Sequence, residues 1–151
     1  MKSKVLSIII PALNEEEKIE DCLKSLEEQD LDRSEYEIIV VDGDSTDMTR
    51  EIARIHADKV ILQKSEGIGG ARRDGVVVSK GDILVFTDAD TIHDKCWLRI
   101  ISENLEEYDV STGPILFYDG NYNSNLLRLW RKIYILFPLF DFYWLIGSNM
   151  A

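Results

Sequence analysis

Cysteine, proline and basic side chains are all scarce in this 151-residue chain. There are 2 cysteines, 3 prolines, and 17 lysines and arginines against 28 acids, a formal net charge of −11. Cys22 and Cys96 stand far apart with no CxxC partner, so they read as two reduced thiols used for packing, not a disulfide framework or a thiolate metal site. The acidic excess, concentrated in the first two thirds, excludes general nucleic-acid binding, which needs a basic face. It also disfavours simple electrostatic adhesion to anionic lipid. No apolar run reaches the roughly 20 residues that cross a bilayer. Met1-Lys2-Ser3-Lys4 leads straight into a strand pattern without a separate signal segment, from which a cytoplasmic site of action is expected. Internal repeats and low-complexity stretches are absent. What remains is ordinary for a folded domain with a real core: 45% hydrophobic and 30% charged residues.

Strand and helix patterns alternate. Val5 to Ile10 is an apolar run stopped by Pro11, a buried strand. Asn14 is a suitable N-cap, with Glu15, Glu16 and Glu17 in a first turn that favours acids. Ile19, Cys22, Leu23 and Leu26 then make one helical face. Strands are expected at Tyr36 to Val41, Val60 to Leu62, Ile83 to Phe86 and near Val110 to Phe117. Helices are expected through Ile52–Ile55, capped by Ser45 or Thr46, at Ala71 to Ser79, and roughly from Asp94 to Leu105. Gly67 to Gly70 read as a loop. The alternation predicts an α/β fold with a mainly parallel sheet.

Two acidic clusters fall where strands end: Asp42-Gly43-Asp44-Ser45-Thr46-Asp47 and Thr87-Asp88-Ala89-Asp90. Carboxylates at the carboxyl ends of strands face the crevice where open α/β sheets bind ligands. Asp88 and Asp90, with a small residue between them, are placed to converge on Mg²⁺ or Mn²⁺, and such an ion carries a diphosphate. His93, three residues on, is assigned to the entry of the next helix and not to the metal. Asp42 is expected to accept a hydrogen bond from a base or ribose, and Ser45 and Asp47 to cap the next helix. Asp44 fits either role. The backbone of Pro11-Ala12-Leu13-Asn14 is a candidate pocket floor. Glu15 either reaches the nucleoside or is only a first-turn acid. Gly67-Ile68-Gly69-Gly70 before a helix, with Arg72, suits phosphate, although the full GxGxxG spacing is missing and a nicotinamide site is not expected.

These blocks together carry a family resemblance. Ile8 to Glu15, Val40 to Asp47, Gly70-Ala71-Arg72-Arg73-Asp74-Gly75 and Thr87 to Asp90 occur in the order seen in inverting family-2 glycosyltransferases, and Gly147 to Ala151 resembles the start of an acceptor-side segment. The resemblance implies the GT-A (nucleotide-diphospho-sugar transferase) fold, a three-layer α/β/α arrangement, and a UDP- or GDP-linked sugar donor. It implies that Pro11, Ala12, Asn14, Glu15, Asp42 and Asp44 hold the nucleoside. Arg72, Asp88 and Ala89 would lie at the donor, and Asp88 and Asp90 (a DxD motif) at the metal. Transfer would go to an acceptor hydroxyl or lipid phosphate on a glycan, lipid-linked or protein acceptor. Gly43 and Arg73 depart from the family's usual residues. The family's general base lies beyond the segment that begins at Gly147, so the catalytic base is expected beyond Ala151 and the chain is expected to be a truncated or short member. The alternative is a non-catalytic nucleotide-sugar-binding or membrane/partner interaction module.

Residues 1–116 are therefore assigned to the donor- and metal-binding core, and 117–151 to the start of an acceptor-side region. Ten of the 14 aromatic residues lie from Phe117 to Trp144. Arg128, Arg131 and Lys132 precede an apolar stretch interrupted by Pro138 and Asp141. Residues 126–146 fit a buried helix pair or a covered surface, or else a segment lying at the cytoplasmic face of a membrane. The interfacial alternative expects the protein to float with liposomes in a density gradient. Protein left at the bottom of the gradient removes it.

Overall fold

The computed structural model describes residues 5–113 and the backbone of 149–150. Its centre is a five-stranded sheet. The strands are β1 (Leu6–Ala12), β2 (Tyr36–Asp42), β3 (Lys59–Leu62), β4 (Ile83–Thr87) and β5 (Asn149–Met150), in the order β3-β2-β1-β4-β5. β1, β2, β3 and β4 run parallel, and β5 pairs antiparallel with the end of β4, Thr87 opposite Asn149. The expected mainly parallel sheet is thus present. Successive strands move outward from β1 through β2 to β3, and the chain then returns to lay β4 on the other side of β1. That reversal opens a crevice at the carboxyl ends of β1, β2 and β4.

The β1 and β2 runs are apolar because both of their faces are covered. Leu6, Ile8 and Ile10, with Ile38, Val40 and Val85, pack against α1 (Ile19–Glu27), α2 (Thr49–His56) and α4 (Trp97–Asn104). Ile9, Ile39 and Val41 face the other way, onto Ala71 and Val76 of α3 (Gly67–Val78). The result is three layers, helices over both faces of one sheet. The helical face read from sequence, Ile19, Cys22, Leu23 and Leu26, is completely buried. Among the described residues no helix is long and apolar enough to cross a membrane. The boundary at 116/117, the segment 126–146 and most of the strand expected near Val110 to Phe117 lie outside the described residues. Up to Gly113 that strand consists of an isolated bridge at Thr112.

Element boundaries differ from expectation at four places, each for a local reason. Pro11 does not stop β1, which continues to Ala12. β4 pairs with β1 only as far as Ile9, so Pro11 lies beyond that ladder, and its missing N–H breaks no bond to β4. Asn14 is not an N-cap; it has a left-handed backbone (φ 55°), and helical bonding starts when Glu15 O accepts from Ile19 N. Gly67 to Gly70 are not a loop but the first turn of α3. Asp74 draws the preceding loop back onto the helix by accepting from Lys64 N, Ser65 N and Ser65 Oγ. α4 begins at Trp97 because Asp94 holds a turn, accepting from Cys96 N through Oδ1 and from Trp97 N through its carbonyl.

Gly75 lets α3 lie against the sheet. A Cβ there would stand 2.5 Å from Ile9 Cγ2 and 3.2 Å from Val41 Cγ2. Gly69, in the same helix, faces open space. Gly75→Ala is expected to destabilise the fold by about 1–3 kcal/mol through overpacking. Gly69→Ala is expected to stabilise it by up to about 1 kcal/mol through helix propensity. Paired urea melts check both signs.

Candidate donor-binding site

The crevice is built first from two loops that hold each other. After β1, Asn14 N donates to Ser45 Oγ (3.0 Å), Glu15 N to Thr49 Oγ1 (2.8 Å) and Glu16 N to Asp47 Oδ2 (3.1 Å). In return, Thr46 N donates to Asn14 Oδ1 (2.9 Å) and Met48 N to Glu16 Oε2 (2.9 Å). Gly43 N completes the seam with a bond to Ala12 O (2.8 Å). Asp47 Oδ1 accepts from Thr49 N and Thr49 Oγ1 at the start of α2. Ser45 and Thr46 do not cap α2, whose boundary residue is Met48; their hydroxyls turn to Asn14 instead. The Asn14 side chain thus braces the loops, and the methyl of Ala12 is buried in the core.

At the end of β2 the Asp42 side chain is 0% exposed. Arg50, from the first turn of α2, donates to its Oδ2 through Nε (2.7 Å) and lies at 2.6 Å through Nη2. The same Nη2 reaches Asp44 Oδ1 at 3.1 Å. Asp44 adopts φ 67° and its side chain is 90% exposed. These two carboxylates hold the Arg50 proton even more firmly than usual. Sequence reasoning missed Arg50. Its signal was an electrostatic misfit, because a cation in the first turn of a helix opposes the helix dipole and needs a local partner.

At the end of β4 the Asp88-Ala89-Asp90 turn is fixed from below. Asp88 O accepts from Thr91 N (3.3 Å) and from the Cys22 thiol (3.6 Å). Burial pushes the Cys22 thiol up to about 12, so it stays protonated, consistent with its packing role. The Ala89 methyl is buried in the α1–α4 core, while Asp90 is exposed. From the opposite face of the sheet, Arg72 Nη2 donates to Asp88 Oδ1 (3.1 Å). Arg72 Nε is buried without a hydrogen-bond partner among the described residues.

Glu15 lies within electrostatic range of this turn. Its carboxyl is raised above the ordinary value by burial first and then by the charge of Asp90, with smaller contributions from Asp47 and Asp88 and an opposing one from Lys18. The surplus of negative charge and the hard oxygen donors suit Mg²⁺ or Mn²⁺. Among the described residues no group of three or more His, Cys, Asp and Glu side chains is placed to hold an ion.

His93, expected at the entry of the next helix, lies in the loop before α4. Its Nε2 is 2.8 Å from Thr87 Oγ1 and its Nδ1 is 3.1 Å from Ser25 Oγ. Ser25 Oγ donates to Cys22 O. Nδ1–H therefore donates to Ser25 and Nε2 accepts from Thr87, which uses both nitrogens of a neutral ring.

A family model described as "Glycosyl transferase family 2" matches residues 7–148. The chain belongs to that family. It is 37% identical over 124 residues, 76% of its length, to the poly(ribitol-phosphate) beta-glucosyltransferase of Bacillus spizizenii. The crystal structure of Staphylococcus aureus TarS 1-349 in complex with UDP-GlcNAc superposes with a TM-score of 0.68 and 27% identity, covering 79% of this chain and 36% of that one. The mannosyltransferase PcManGT from Pyrobaculum calidifontis, in complex with GDP-Man and Mn²⁺, superposes with a TM-score of 0.57 and 30% identity, covering 65% of this chain and 31% of that one. The family-2 chain has the GT-A fold expected from its motifs. It spans 20% of the Bacillus relative's length.

Burial lowers the His93 pKa from 6.5 to about 4. The unfolded chain binds this proton at higher pH than the folded one, so folding stability is full above about pH 6.5 and falls as pH drops toward 4. The expected loss by pH 4.5 is on the order of 2 kcal/mol. His93→Gln should flatten that part of the profile, read as Tm against pH for the two proteins.

Proposed function

We propose that this chain forms the donor half of a glycosyltransferase. It binds a UDP- or GDP-linked sugar with Mg²⁺ or Mn²⁺ and supports inverting transfer to an acceptor hydroxyl or lipid phosphate. The observation that carries the proposal is the convergence of three strand ends on one crevice, with Arg72 paired to the first acid of Asp88-Ala89-Asp90 and Glu15 charged against the second. Residues 1–116 form the donor- and metal-binding core and 117–151 the start of the acceptor side. The nucleoside lies over the ends of β1 and β2, against the backbone of Pro11 and Ala12 and the side of the crevice braced by Asn14. Glu15 and Asp44 line it, with Asp42 behind Arg50 at the end of β2. The diphosphate lies toward β4, near Arg72 and the Ala89 backbone.

Asp88 and Asp90 would hold the divalent ion, which neutralises charge developing on the departing diphosphate. Arg72 is anchored by Asp88 and adds a fixed positive charge on the same side. Inversion follows from direct displacement, with the acceptor attacking the anomeric carbon opposite the diphosphate after a general base takes its proton. No described residue is assigned that base. The complexes of the two solved neighbours with UDP-GlcNAc and with GDP-Man and Mn²⁺ support this class of donor and cofactor. The aromatic residues of 117–144 support an acceptor held at the cytoplasmic face of a membrane, with a lipid-linked glycan as one candidate. A reading as a non-catalytic nucleotide-sugar-binding module keeps the same donor site.

Isothermal titration of UDP-, GDP- and sugar-linked forms, with Mn²⁺ or with EDTA, tests the proposal on the wild type and on Asp90→Ala. The expected result is binding that requires the metal and weakens about tenfold or more without Asp90, equivalent to at least 1.4 kcal/mol. Folded protein that binds no nucleoside diphosphate under any of these conditions sinks it.

A further inference from the structure

We propose that His93 is a positioning residue for the Asp88–Asp90 turn. It fixes the two ends of the turn to each other and to α1, so that the carboxylates are held in place for a divalent cation. The inference deepens the donor-binding function proposed above and rests on it. Thr87 and His93 bracket the stretch from Asp88 to Ile92. A side-chain bond joins them, His93 Nε2 to Thr87 Oγ1 at 2.8 Å. The turn that carries both acids is therefore closed across its own base. Thr87 is 0% exposed, so water does not compete for that bond.

The bond is one link of a closed circuit that passes through Asp88. His93 Nδ1 donates to Ser25 Oγ at 3.1 Å, and the His93 amide N–H donates to the same oxygen at 3.0 Å. Ser25 Oγ passes its single hydrogen to Cys22 O at 2.7 Å. The Cys22 thiol donates to Asp88 O at 3.6 Å, and the peptide bond from Asp88 back to Thr87 completes the circuit. Both sides of the Asp88 backbone are thereby tied to one turn of α1. Because the hydroxyl hydrogen of Ser25 goes to Cys22, Nδ1 must donate, which leaves Nε2 as the acceptor for Thr87. The ring also rests on Trp97, with centroids 4.1 Å apart.

Such a brace matters more to a cation than to a fold. Mg²⁺ accepts oxygens only near about 2.0–2.1 Å in almost octahedral geometry, so small displacements of a carboxylate are costly. Groups behind a metal's ligands orient them, and losing one weakens metal binding about 10- to 100-fold. Gln29 continues the brace past His93, donating to Asp94 O at 2.8 Å. The chain from Thr87 to Asp94 is thus fastened along α1, while Arg72 restrains the Asp88 carboxylate from the other face of the sheet. A neutral imidazole suits the place. It bridges two hydroxyls without adding a positive charge that would repel the ion.

The test uses the full chain with Mn²⁺ and UDP or GDP. Calorimetry gives the nucleotide Kd, and electron paramagnetic resonance reads the ligand geometry around the bound Mn²⁺. Thr87→Val removes the hydroxyl, and Thr87→Ser keeps it. His93→Phe removes both ring nitrogens but keeps a ring. Ser7→Ala is the control, since it removes equally buried bonds to Glu37 (2.7 Å) and Gly81 (2.8 Å) at the opposite end of the sheet. Circular dichroism confirms folding. His93→Asn, which reaches Ser25 but not Thr87, takes the place of His93→Phe if that variant does not fold. The expected result is a Kd about tenfold higher in Thr87→Val and in His93→Phe, with the same altered Mn²⁺ spectrum in both. The double variant is no worse than His93→Phe, because the same link is lost. Thr87→Ser and Ser7→Ala keep the wild-type Kd and spectrum. The inference is overturned by a wild-type Kd and spectrum in folded Thr87→Val, by an equal loss in Ser7→Ala, or by additive losses in the double variant. A loss in His93→Phe alone overturns it too, because His93 then acts by a route other than Thr87. A wild type that binds neither nucleotide with Mn²⁺ overturns the donor-binding function itself, and this inference with it.

Discussion

The reciprocal hydrogen bonding between the loops after β1 and β2 is the constraint on which the crevice depends. Each loop supplies the acceptors for the other's otherwise unpaired amides: Ser45, Asp47 and Thr49 for Asn14, Glu15 and Glu16, and Asn14 and Glu16 for Thr46 and Met48. Neither loop satisfies those amides from within itself. Polar groups left unpaired at a half-buried turn are costly, so the two loops are stable only together. That mutual dependence sets the relative positions of Glu15, Asp42 and Arg50.

A second brace serves the other side. The Asp88–Asp90 turn hangs from α1 through Cys22 and from the His93 network, in which Ser25, His93 and Thr87 connect α1 to the last residue of β4. Gln29 extends the same connection to the start of α4, donating to Asp94 O and accepting from Leu98 N. The acids on the crevice surface thus rest on buried, neutral, hydrogen-bonded side chains. A charged crevice with surplus negative potential is tolerated because its support is rigid and uncharged. The same surplus is what a divalent cation would relieve.

Much of this was legible in the sequence. Alternating apolar runs placed β1 to β4 within two residues, and amphipathic periodicity gave the buried face of α1, because burial of those faces is what forms the elements. Strand-end acids were recognisable as crevice residues. Less legible were the uses of individual polar side chains. Asn14, Ser45 and Thr46 carry the local signature of helix caps, but across 31 or 32 residues of chain they find better partners in one another. The glycines of α3 looked like a phosphate loop; Gly70 is needed instead because Ser65 leaves no room for a Cβ.

By itself the sequence determined the layer architecture, the family and the chemical character of the crevice, since each follows from hydrophobic period or from short contiguous motifs. Only the tertiary structure decided which carboxylates stand open and which are closed by an arginine. Asp42 and Asp88 both end strands, yet one is sealed under Arg50 while the other shares its charge with Arg72 and partly faces solvent. No local pattern encodes that difference. It arises because helices from opposite faces of the sheet deliver their guanidinium groups to the ends of β2 and β4, on either side of β1, a distance in space that the chain covers only by folding.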